Sequence, residues 1–140
     1  MVEIAIAYRG QLRCSAEHRP SGMTLMTDPP VDNKGRGEAF SPTDLVATAL
    51  GTCMLTLMGM RAEERSYPLD GATIIVKKHM TASAPRRIAT LAVSVSVPRG
   101  DELSDADRQV LEHAAHTCPV RLSILDAIQV PVSFAWGSPG

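Results

Sequence analysis

The residues in this chain best suited to chemistry are three cysteines, Cys14, Cys53 and Cys118. An odd number does not make a secreted disulfide framework. In a reducing compartment they are free thiols, metal ligands or redox groups, and a buried cysteine is also a common small packing residue. Cys53 stands in Ala49-Leu50-Gly51-Thr52-Cys53. On a helix its neighbours are Val46, Ala49, Leu50, Thr56, Leu57 and Met60. Such surroundings raise a thiol pKa unless a cation or donor is close, and the nearest arginine on that stretch, Arg61, is about two turns away. Locally, Cys53 reads as core. Cys118 precedes Pro119, where a short helix can start, and the free N–H groups of a helix start favour a thiolate. Cys118 is therefore the better local candidate for a reactive thiol. His113-x2-His116-x-Cys118 has some of the look of a zinc site but lacks a second ligand pair, so no metal is expected. No glycine-rich phosphate loop, G-x-S-x-G elbow or H-E-x-x-H is present, and no cofactor is expected.

The elements that position these thiols follow from periodicity. Val2, Ile4 and Ile6 alternate with Glu3, Ala5 and Ala7, predicting a strand through Tyr8. Arg9-Gly10 turns it into a second strand from Leu12 to Ala16, and Met23 to Thr27 is a third. Asp28-Pro29-Pro30 breaks the pattern, and Val31 to Ala39 has the composition of a flexible surface loop. Ser41-Pro42-Thr43-Asp44 is a helix start close to a capping box, and the helix runs to about Arg65, before Tyr67-Pro68. From Leu45 to Met60 it carries no charge on any face. A helix apolar all round needs burial all round, and a chain this short cannot wrap it, so a second copy is expected to cover part of it. Leu69–Thr81 and Ile88–Pro98 read as a β-hairpin joined by 82–87. Ser104 starts a second helix, Pro119 a short third one to Leu125, and Val130–Phe134 is a last strand with Pro131 near an edge. The order βββ-α-ββ-αα-β is an α+β arrangement in one domain, 1–140.

Composition narrows the function. The 140 residues carry 14 Lys+Arg against 15 Asp+Glu, without the basic excess of a nucleic-acid binder or a basic membrane-surface protein. Aromatic residues are 4%, too few for base-stacking platforms. The N-terminus lacks a signal-peptide pattern, and the apolar run Leu45–Met60 falls short of the ~20 residues that span a bilayer. A soluble cytoplasmic protein is expected.

Three segments together resemble the OsmC/Ohr superfamily, the osmotically inducible and organic-hydroperoxide-resistance proteins. They are Gly37-Glu38-Ala39-Phe40-Ser41-Pro42-Thr43-Asp44-Leu45, Ala47-Thr48-Ala49-Leu50-Gly51-Thr52-Cys53 and Ala115-His116-Thr117-Cys118-Pro119-Val120. The element order fits as well. The resemblance implies an intertwined homodimer with its long helices buried between sheets, and a thiol peroxidase. Cys53 then looks like the peroxidatic thiol and Cys118 the resolving one, with an organic hydroperoxide as substrate and a thiol or dithiol as reductant. This reverses the local ranking of the two thiols; tertiary partners can activate a mid-helix cysteine.

The chain departs from that family at Thr43. The hydroperoxide-resistance branch has a glutamate there, paired with an arginine from the second-strand region. The cation available here is Arg13, and the carboxylates nearby in sequence are Asp44 and Glu38. The Ser-Pro-Thr-Asp-Leu form is closer to the OsmC-like branch. Two further functions stay open: a redox sensor without efficient turnover, and a non-enzymatic binder of apolar ligands.

Overall fold

The computed structural model describes residues 1–138. Six strands and three helices follow in the order β1 (Ile4–Gly10), β2 (Arg13–His18), β3 (Thr24–Thr27), α1 (Pro42–Arg65), β4 (Thr73–Met80), β5 (Ile88–Val97), α2 (Asp105–His116), α3 (Pro119–Ser123) and β6 (Val132–Trp136). This is the α+β order that the sequence predicts. The chain divides into two units, Met1–Val46 and the residues from Ala47 onward.

The first unit is an antiparallel sheet, β1-β2-β3, followed by a loop and the first turn of α1. Its hairpin turns later than Arg9-Gly10. Gln11 and Leu12 both take left-handed conformations (φ 53° and 64°), the pair of positive φ angles that matches the twist of a tight hairpin. A bulge between Tyr8 and Gly10 absorbs the extra residue, so β1 and β2 both extend past their expected ends. The sheet packs little within its own unit. Ile6 is 70% exposed and Tyr8 66%. The buried residues of this unit are Thr27, Asp28 and Ser41, all polar. At the start of α1, Ser41 Oγ accepts from Asp44 N–H (3.1 Å), and Ser41 N–H donates to Asp44 Oδ2 (2.9 Å). That reciprocal pair is a capping box.

The second unit holds the apolar core. β5 alternates as read, with Leu91, Val93, Val95 and Val97 buried. It pairs antiparallel with β4 and parallel with β6. A parallel pair needs a long crossover, supplied by α2 and α3. Ser104 caps α2 by accepting from Asp107 N–H, and the helix buries Leu111, Ala114 and Ala115. β6 begins two residues later than predicted. Pro131 has no N–H to donate to a ladder, and only its carbonyl joins, accepting from Val93 N–H (2.9 Å). α3 ends at Ser123 because Ile124 is extended (ψ 157°).

Helix α1 is long and apolar enough, by length and composition alone, to cross a membrane. Its stripe Ala47, Leu50, Gly51, Met54, Met58 and Ala62 is nevertheless buried within the protein. Gly51 permits the close approach: a Cβ there would lie 2.9 Å from Val76 of β4. The rest of the helix surface is half-buried or open. Cys53, Leu55 and Leu57 are half-buried, and Met60 is 53% exposed. The exposed stripe is Thr48, Thr52, Thr56 and Met60, so the helix turns uncharged hydroxyls and a methionine outward rather than charges.

Candidate functional site: a thiol pair and an arginine–carboxylate cluster

In the second unit, Cys53 on α1 and Cys118 at the N-cap of α3 come together. The two thiols are close enough for Cys53 to act on the titration of Cys118, although they are 65 positions apart in sequence. Cys118 is fully buried, whereas Cys53 is half-buried. Pro119 fixes the first position of α3, which turns Cys118 Sγ back to accept from Arg121 N–H at 3.2 Å.

Burial pushes the Cys118 thiol above its ordinary pKa. The N–H groups of Arg121 and Val120 pull it down, and the neighbouring Cys53 pushes it further up. The local expectation that a helix start makes Cys118 acidic is therefore corrected: desolvation outweighs two backbone donors on a five-residue helix. Cys118 is a protonated, sheltered thiol, and Cys53 is the one of the pair with a path to solvent. His113 and His116 are exposed on the last turn of α2. Among the described residues no group of three His, Cys, Asp or Glu side chains could hold a metal ion.

The first unit carries the charged cluster. Arg13 opens β2 directly after the hairpin turn. Its Nη2 donates to Glu38 and, at 3.4 Å, to Asp28 Oδ2. Both carboxylates grip one nitrogen, and Arg13 Nε is buried without an acceptor among the described residues. Sequence reasoning offered Glu38 and Asp44 as partners for Arg13. The structure joins it to Glu38 and Asp28, while Asp44 closes the capping box with Ser41. Thr43 shares a 3.2 Å hydroxyl contact with Ser41. Cys14, next to Arg13, is a half-buried free thiol paired in register with Tyr8 and Thr27.

Asp28 is the residue that sequence reasoning passed over, as part of a chain-breaking Asp-Pro-Pro. It is 1% exposed. Besides Arg13 it accepts from Glu38 N–H (3.0 Å) and Arg36 N–H (3.3 Å). The Glu38 N–H, then the Arg36 N–H and the Arg13 guanidinium, hold its carboxyl below the ordinary value against the opposing effect of burial. The loop from Val31 to Ala39, read from composition as flexible, is folded around this carboxylate. Asn33 and Gly35 donate to Pro30 O, and Gly37 to Pro29 O. A Cβ on Gly35 would overlap Pro29 O at 1.7 Å, so this turn accepts only glycine. The usable signal was an aspartate placed just before a proline pair and a glycine-rich loop, whose free N–H groups need an acceptor.

The OsmC-like protein family profile matches residues 35–133. A crystal structure from Psychrobacter arcticus, of a candidate osmotic stress induced and detoxification response protein, is 41% identical, covers 96% of each chain and superposes with a TM-score of 0.88. An organic hydroperoxide resistance protein from Legionella pneumophila shares the fold at 18% identity, with 96% of each chain covered and a TM-score of 0.75. A protein of the same description from Elizabethkingia anophelis does so at 13% identity, over 96% of this chain and 95% of that one, with a TM-score of 0.76. No curated protein matches the sequence.

Proposed function

This chain belongs to the OsmC-like protein family, and on that premise we propose that it is a cysteine-based thiol peroxidase for organic hydroperoxides, acting as a cytoplasmic homodimer built from one OsmC-like domain per chain. The observation that carries the reading is the pairing of a half-buried Cys53 with a fully buried Cys118. A peroxidatic thiol must meet substrate, and a resolving thiol must wait protonated beside it.

In this reading the Cys53 thiolate attacks the distal oxygen of the hydroperoxide. The O–O bond breaks, the alcohol leaves with a proton, and Cys53 becomes a sulfenic acid. Cys118 then attacks the Cys53 sulfur, water leaves, and a disulfide forms. A dithiol reductant returns two electrons by exchange. Apolar side chains along α1 around Cys53, such as Ala49 and Leu57, favour an alkyl or aromatic hydroperoxide over hydrogen peroxide. Arg13 is assigned as the activating residue of the reaction, with Glu38 and Asp28 as its anchors. Two acids hold its Nη2, and the buried Nε is left without an acceptor among the described residues. The homodimer is supported by the exposed Ile4, Ile6 and Tyr8 of sheet β1-β2-β3 and by the exposed Met60 of α1. The free state of all three thiols fits a reducing cytoplasm.

A second reading, a redox sensor that closes the same disulfide without turnover, draws on Thr43. One assay separates the two. Stoichiometric cumene hydroperoxide should close the Cys53–Cys118 disulfide, and a dithiol should sustain turnover. Cys118→Ser should stop at a sulfenic acid trapped by dimedone, and Arg13→Ala should slow Cys53 oxidation while remaining dimeric. Disulfide without turnover selects the sensor. A wild-type chain that never oxidises sinks both.

A further inference from the structure

Glu38 and Asp28 both contact Arg13, but they are not equivalent. Glu38 is 58% exposed, where water and salt screen an ion pair. Asp28 is 1% exposed and holds three donors at once: the Arg13 Nη2 and the backbone N–H groups of Arg36 and Glu38. Asp28 therefore grips the arginine directly and fixes the backbone from which Glu38 reaches it. A further backbone bond, Asp28 N–H to Phe40 O at 3.1 Å, closes the loop at its far end. Removing Glu38 takes away one acceptor. Removing the Asp28 charge takes away an acceptor, the loop and the placement of the other acceptor.

We infer that Asp28 is the positioning residue of the arginine site: its buried carboxylate, rather than that of Glu38, sets the orientation of Arg13. The mechanistic use of that orientation rests on the peroxidase reading above; the orientation itself does not. Asp28 touches no reacting atom in this scheme and acts through Arg13. The loop 28–40 is then a built bracket that holds the guanidinium by its Nη2.

The test is the Nε–H resonance of Arg13 in the reduced, resting protein, assigned by its loss in Arg13→Lys. Asp28→Asn should broaden or erase this resonance, while Glu38→Gln should leave it as one sharp signal. A Cys14→Ser/Cys118→Ser background leaves Cys53 as the single thiol. There, Asp28→Asn should slow the oxidation of Cys53 by cumene hydroperoxide roughly tenfold. A role in loop stability alone would lower the melting temperature and leave that rate in place. Should Asp28→Asn fail to fold, the wild type decides: the Arg13 signal should change as the Asp28 carboxyl is protonated in acid. An Arg13 signal unmoved by Asp28→Asn, or moved equally by Glu38→Gln, overturns the inference. A wild type inert to hydroperoxide sinks the proposed activity and leaves the resonance test standing.

Discussion

Residues Met1–Val46 and the residues from Ala47 onward bury opposite kinds of side chain. Every buried polar or charged residue described, Thr27, Asp28 and Ser41, lies in the first. Every buried hydrophobic residue described, from Ala47 to Cys118, lies in the second. The second unit is held by desolvation of Leu, Val and Met. The first is held by hydrogen bonds, and each of those contributes only about 0.5–1.5 kcal/mol net. The lesson is that the arginine site sits on a sheet whose unit buries no apolar side chain, and that leaves Ile6 and Tyr8 exposed.

The sharpest way to break this comparison is to truncate one apolar side chain in each region. Leu111→Ala, at a fully buried position, should cost about 2–5 kcal/mol in chemical denaturation. Ile6→Ala, at a 70% exposed position, should leave the chain folded and instead weaken self-association roughly tenfold, read by sedimentation across a dilution series. Equal losses of monomer stability in the two variants would erase the distinction.

A smaller effect is expected at the helix–sheet contact. Gly51→Ala gains about 1 kcal/mol of helix propensity and incurs about 1–3 kcal/mol of overpacking against Val76, a stiff β-branched neighbour. The net should be a lower melting temperature. A higher one would mean that α1 and β4 adjust freely.

The gentlest perturbation is acid. A carboxyl held below its ordinary pKa contributes stability in full above the unfolded value and loses it as pH falls through the lowered one. For Asp28 that window opens below about pH 4. The amides of Arg36 and Glu38 should lose exchange protection there while the Val93 amide, bonded to Pro131 O, keeps it. Simultaneous loss would make the loop and the core one cooperative unit.

The sequence by itself determined the element order and most of the core. Alternation from Leu91 to Val97 and the caps at Ser41 and Ser104 are local signals, set by side-chain period and by the unpaired N–H groups of a helix start. The two thiols were also legible as candidates, but their characters were not. The N–H donors around Cys118 are written in Cys-Pro, whereas the desolvation that outweighs them comes from residues distant in the chain. The same holds for Asp28. Its local signal is a turn, and its partners lie 8, 10 and 15 residues away. Tertiary structure decided these points because a pKa and an ion pair depend on the dielectric and the donors around a group, and distant segments supply both.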